Sequence, residues 1–234
     1  MNQQINQYVS RSTPFVLASL ISSYPDELFA EYTTALLHDE DLSLPEDFRN
    51  ILFQVVQSEE TINDLRSEYI DIFDRSKELN PLYETEYGRE RAMFKANELS
   101  DISGFYKAFG FNLGGDGLTK EMPDHLSVEF EFYSLLIMKS EHLAAVADTE
   151  GCDIVLDARK KFLKDHLGRF VHSIGERPGV QSSPIYSKIL NWCSEIVADE
   201  ANNLEITLEK ATWFASQTEK DAVCCGAEVA HVPS

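Results

Sequence analysis

Asp124 and His125 stand side by side in the stretch Glu121-Met122-Pro123-Asp124-His125-Leu126. An imidazole next to a carboxylate is the pairing that general acid–base catalysis uses. Here no serine or cysteine nucleophile is set beside it by a recognisable elbow. Glu129 follows four residues after His125, so a helix through this stretch puts both on one face, where a histidine and a carboxylate can share a metal ion. No H-E-x-x-H pattern and no second His–carboxylate pair lie nearby, and the adjacent Glu141 and His142 do not share a helical face. The expectation is no metal and no cofactor, with a metal-dependent hydrolase using His125 and Glu129 as the alternative. Helix-start chemistry gives Asp124 a plainer task, since a first-turn carboxylate stabilises free N–H groups and the positive end of the dipole. It does not explain His125, because an imidazolium is disfavoured there. A neutral histidine, or one held by a nearby carboxylate, is expected.

The remaining reactive side chains point to less. Gly114-Gly115-Asp116-Gly117 has neither G-x-G-x-x-G spacing after a strand nor a Walker Lys-Ser/Thr, and reads as a loop. His166 and His172 are six apart and read as surface or satisfied histidines. Cys152 and Cys193 are isolated, and Cys224-Cys225 with His231 make an awkward chelate near the end of the chain. Four cysteines without a C-x-x-C pair fit a reducing compartment and not a disulfide framework.

These residues sit in a chain whose dominant apolar period is helical. Helices are expected from Pro14 to Ser22, from Pro25-Asp26, from Leu44-Pro45-Glu46 and from Ser58 onward, the last placing Ile62, Leu65, Tyr69, Ile72 and Phe73 on one face. Asp74–Gly88, with Asn80-Pro81, breaks the pattern. Glu90–Gly110 is helical again, in two pieces split near Ser100. Pro123 opens the longest helix, to about Asp148. Others are expected over Asp153–Ile174, Ile185–Asp199 and Leu204–Thr218, with a loop at Gly175–Pro184. No strand alternation persists. The predicted fold is all-α, a single-domain bundle of about ten helices over residues 1–220, with 221–234 as a loose tail. The aromatic side chains Tyr69, Phe73, Tyr83, Tyr87, Tyr106 and Phe109 cluster around the irregular middle, where loops can line a groove for a peptide.

Composition narrows the partner. Forty acidic residues against twenty basic ones give a formal charge of −20 over 234 residues. Such a surface repels nucleic acid and anionic lipid and attracts a basic partner. No window approaches the roughly 18–20 apolar residues of a membrane helix, and the start lacks a basic region followed by an apolar block. The expected location is the cytoplasm.

Two stretches together resemble a known family. One is Glu121-Met-Pro-Asp-His125 running into Leu126-Ser-Val-Glu-Phe-Glu-Phe132. The other is Tyr69-Ile-Asp-Ile-Phe73 leading to Pro81-Leu-Tyr-Glu-Thr-Glu-Tyr-Gly88. In this order and spacing they resemble the TorD/DmsD/NarJ chaperones of molybdenum-cofactor oxidoreductases, closest in flavour to NarJ. The opening Pro14–Asp26 looks like the family's first helix and turn. The resemblance implies an all-helical protein without catalytic activity. Such a protein binds the apo catalytic subunit of one enzyme, often through a leader that can carry twin arginines, until cofactor is inserted. Carried over by position, Asp124 and His125 belong to the partner-binding site, with Tyr69, Tyr83, Glu84, Tyr87 and Glu129 as further candidates. A structural helical subunit of a larger complex is the other non-enzymatic alternative.

Overall fold

The structure is a computed structural model that describes residues 11–40, 42–88, 91–113 and 121–211. Its helices are α1 (Thr13–Ser22), α2 (Phe29–Leu37), α3 (Glu46–Val55), α4 (Glu59–Tyr69), α5 (Arg91–Ala108), α6 (Leu126–Ala145), α7 (Thr149–Phe162), α8 (Gly168–Gly175), α9 (Pro178–Ser182) and α10 (Tyr186–Asn203). Among the described residues there is no strand, only an isolated antiparallel bridge between Tyr83 and His125. The all-α expectation holds. No helix among them is long and apolar enough to cross a membrane.

The axis of the bundle is α6. Leu126, Val128, Phe130, Phe132, Tyr133 and Leu136 are all fully buried, while Glu131 and Met138 on the remaining face are exposed. A helix apolar over most of its circumference needs cover on most of its sides. Helix α1 lies against one side and α7 against another, while α8 and α10 pair with each other and α10 returns to α1. The buried side chains of these helices form one continuous core.

Two helices carry an extra residue in a turn. After Tyr69 the backbone of Ile70–Asp74 widens into a π-turn, and Leu163–Leu167 does the same between α7 and α8. Apolar periodicity does not reveal this, because one inserted residue shifts the face by about 100° without interrupting it. The second π-turn is fixed by Gly168, where a Cβ would lie 2.4 Å from the Leu163 carbonyl oxygen.

Several expected boundaries move. The second helix starts at Phe29 because Asp26 Oδ1 accepts the Leu28 N–H and holds a turn first. The region around Ser100 is not a break: α5 runs through it, with Ser100 facing solvent and Ile102 and Tyr106 buried on the other side. The span Gly175–Pro184 contains the short α9, with Pro178 in its first turn. The longest expected helix starts at Leu126 and not at Pro123, since Met122–His125 forms a turn closed by the His125 N–H on the Met122 carbonyl. The helix expected over Leu204–Thr218 is absent as far as Ala211. Glu205 takes φ 56°, the left-handed conformation that ends a helix, and the Ile206 N–H returns to the Ala201 carbonyl. The following non-helical segment is tied down by the Ala211 N–H on Arg169 O and by Ser173 Oγ donating to Ala211 O. The Gly114–Gly117 loop, Cys224, Cys225, His231 and the 221–234 tail lie outside the described residues.

Candidate functional site

Two turns meet at the N-terminus of α6. The first carries Pro81–Tyr87, with a 3-10 turn at Glu84–Glu86. The second is the Glu121–His125 element. Two hydrogen bonds join their backbones and make the Tyr83–His125 bridge: the Glu84 N–H on the Asp124 carbonyl at 2.9 Å and the Leu126 N–H on the Leu82 carbonyl at 2.9 Å. Asp124 adds its side chain, whose Oδ2 accepts the Thr85 hydroxyl at 2.6 Å and the Thr85 N–H at 3.3 Å. Asp124 therefore clasps the neighbouring turn and does not cap the helix.

The cap is His125. Its backbone is extended (φ −74°, ψ 138°), and its Nδ1 accepts the Ser127 N–H at 3.3 Å, with Ser127 Oγ 2.8 Å away. A backbone N–H can only donate, so Nδ1 is an acceptor and the ring proton sits on Nε2. Burial lowers the imidazole to about 4, with the Asp124 carboxylate pulling the other way. A neutral imidazole at a helix N-terminus conflicts with no dipole. This is how a histidine fits where imidazolium would not.

Nε2 of His125 lies 4.0 Å from Glu121 Oε2, beyond hydrogen-bond reach. The same Glu121 oxygen accepts the Tyr83 hydroxyl at 2.9 Å, and the Tyr83 ring meets the His125 ring edge-on with centroids 5.0 Å apart. These three residues form one wall of a cleft of about 460 Å³. The opposite wall is Tyr69, Phe73 and Asp74 from the end of α4 and its π-turn, together with Tyr24. A second, more apolar groove of about 900 Å³ continues from it, sharing Tyr24 and Glu121 and lined by Leu20, Tyr32, Leu36 and Met138 among others. Tyr24, Tyr32 and Met138 are among the few large apolar side chains that are exposed.

Beneath the cleft lies a buried ionisable cluster. Glu129 is fully buried, and its carboxyl faces that of Glu84. Burial, then the negative charges of Glu84 and Asp124, push Glu129 well above the carboxylate range, so it keeps its proton; neither of its carboxyl oxygens has a hydrogen-bond partner among the described residues. On the other side of Glu84, His166 Nδ1 lies 3.1 Å from Oε2, while its Nε2 lies 3.3 Å from Asp101 of α5. Burial disfavours imidazolium at His166, but the hydrogen bond and charge of Glu84, followed by Asp101, outweigh it and raise the pKa. The π-turn Leu163–Leu167 is what aims His166 at this cluster.

Of the expected residues, Tyr69, Tyr83 and His125 line the cleft, while Asp124, Glu84 and Glu129 sit behind it. Tyr87 lies elsewhere: it is buried against Phe170 with its hydroxyl on the Pro81 carbonyl, where it holds the turn. The sequence reading leaves out Tyr24, Asp74, Glu121 and His166 as site residues. Glu121 had a signal, four residues before His125 in the same element, and Asp74 had one at the end of the Tyr69–Phe73 stretch. His166, read as surface or satisfied, is of the second kind, buried and ion-paired with Glu84, and no spacing connects the two. Among the described residues no three His, Cys, Asp or Glu side chains are grouped to hold an ion.

The profile described as "Nitrate reductase delta subunit" matches residues 28–175, a span that contains the cleft's two turns, both π-turns and all of α6. No curated protein matches the chain.

Proposed function

The chain belongs to the nitrate reductase delta subunit family, a NarJ/TorD-type family of molybdoenzyme assembly chaperones, and from that premise we propose how it works. It is a cytoplasmic, non-catalytic chaperone dedicated to one molybdenum-cofactor oxidoreductase. It binds the apo catalytic subunit, through a basic and apolar leader segment, and holds it until cofactor is inserted. The observation that carries this reading is the cleft at the start of α6, which opens directly into the apolar groove beside α1. An extended or helical segment with apolar side chains needs such a trough, and exposed aromatic and methionine side chains supply adaptable contact area. Acidic residues Asp26, Asp74, Glu121 and Glu131 stand along the two depressions and suit a basic segment.

The site residues have distinct tasks in this reading. Tyr69, Tyr83 and His125 touch the client. Asp124, Glu84, Glu129 and Tyr87 hold the two turns in register.

The test is co-expression with a candidate molybdoenzyme catalytic subunit, followed by pull-down and assay of cofactor loading. The apo subunit should co-purify and the loaded one should not. Normal cofactor loading in a deletion strain would sink the proposal. Permanent, salt-insensitive association with the mature enzyme would mark a structural subunit instead.

A further inference from the structure

We propose that His166 is a proton-operated latch, which holds the N-terminal half of α5 against the Glu84–Glu86 turn and lets it go as pH rises. The latch stands on the packing around His166. Only its effect on a client rests on the chaperone reading above.

The geometry demands a charged ring. Nδ1 lies 3.1 Å from Glu84 Oε2, and Nε2, sealed from solvent, lies 3.3 Å from Asp101 Oδ2. Carboxylate oxygens only accept, so either neutral tautomer turns a lone pair toward one of the two carboxylates. Imidazolium alone points a proton at both. Charged groups surround the pair from every side. Glu98 of α5 and Asp124 of the second turn add negative charge, Glu129 of α6 faces Glu84, and Arg169 of α8 opposes them. Lys161 of α7 sits over the Phe105 ring at 5.4 Å, and on the π-turn itself Asp165 is half-exposed and Lys164 exposed. The two partners differ in one respect: the Glu84 side chain is buried and that of Asp101 is 56% exposed. A ring that loses its proton therefore keeps Glu84, which has no water to turn to, and gives up Asp101, which does.

Asp101 is where α5 changes character. Beyond it the helix packs by apolar side chains: Ile102 and Tyr106 are buried, and Phe105, Tyr106 and Phe109 all meet Phe132 of α6. From Lys95 to Asp101 no residue is buried. Here Lys95 pairs with Glu86 at 2.6 Å and Asp101 with His166. The first pair is partly exposed and holds little on its own. Once detached, this half is too short to persist as an isolated helix. Its lifting uncovers the Glu84–Glu86 turn, on which α5 packs. That turn carries Thr85, the residue that Asp124 clasps, so the loosening reaches both turns of the cleft. Burial lowers the His166 pKa, but the hydrogen bond and charge of Glu84, then Asp101, raise it above the ordinary 6.5. The latch is therefore closed below pH 6.5 and opens as pH rises through the folded value.

The test is hydrogen exchange and ring 15N shifts of the full-length chain from about pH 6 to about pH 9, a range in which His125 stays neutral. The His166 ring should titrate once, above 6.5. Protection of the Glu98, Leu99 and Asp101 amides should fall about tenfold across that titration, while Phe105 and Tyr106 keep theirs. The Tyr83 amide should shift with the same midpoint. His166→Gln donates to Glu84 without a proton to lose, and should flatten the profile. Asp101→Asn is an exposed change that spares the core, and should lower the midpoint and reduce protection at pH 6. A His166 ring already neutral at pH 6 would overturn the latch, as would protection of these amides that does not vary with pH. A transition abolished by Glu129→Gln belongs to that carboxyl and overturns the latch as well. A chain that shows the expected titration yet retains no client at any pH keeps the latch and overturns the chaperone reading alone.

Discussion

At the residue scale, His125 joins two tasks in one side chain. Its Nδ1 caps α6 and its Nε2–H faces the cleft. The two tasks can be separated by substitution. Asparagine is a good N-cap, so His125→Asn should fold with little loss yet fail to retain client. Alanine should lose the cap as well, at a cost of roughly 0.5–2 kcal/mol in urea unfolding. The same residue sets a pH signature. Its folded pKa of about 4 lies below the ordinary 6.5, so the unfolded chain binds the proton first as pH falls. Wild type should therefore lose stability relative to His125→Asn between pH 6.5 and 4, by on the order of 3 kcal/mol. Glu129 predicts the opposite sign. Its folded pKa is raised above 4.5, so its contribution is present at low pH and is lost as pH rises through the folded value. Glu129→Gln should match wild type near pH 4 and exceed it at pH 8. Equal slopes with pH for the two proteins would show that the buried carboxyl is not the titrating group.

At the element scale, both π-turns abut the site. Ile70–Asp74 brings Ile70, Phe73 and Asp74 to the cleft wall, and Leu163–Leu167 turns His166 toward Glu84. Helices with an inserted residue are strained relative to regular ones and persist where surroundings hold them. Gly168 is the point of leverage, since a methyl group there collides with the Leu163 carbonyl and with Leu208. Gly168→Ala should cost about 1–3 kcal/mol by overpacking, and the His166 Nδ1 resonance should move as the contact with Glu84 loosens. An unchanged melting temperature and an unchanged His166 signal would refute this. The remote Ser58–Thr61 capping box shows what local sequence can do alone: Ser58 Oγ accepts the Thr61 N–H, the Thr61 hydroxyl accepts the Ser58 N–H, and α4 starts where those residue types place it.

At the scale of the whole molecule, the charge of −20 sets the approach of a client more than its final fit. Association of a basic client peptide should slow several-fold between about 50 and 300 mM salt, with a smaller change in dissociation, because screening acts on the long-range field and much less on a desolvated cleft. Stopped-flow measurements across that range check it, and a salt effect confined to dissociation would contradict it. The sequence by itself determined the helical class and most helix starts, and it singled out Glu121–His125. Those follow from apolar period, caps and proline placement, all of which act within a few residues. Tertiary structure decided what the element does. The role of Asp124 as clasp depends on Thr85, nearly forty residues away in the chain. The buried partners of Glu84 come from α6 and the turn after α7. A carboxylate reads the same in sequence whether water or a second carboxyl surrounds it, and only packing settles which proton it keeps.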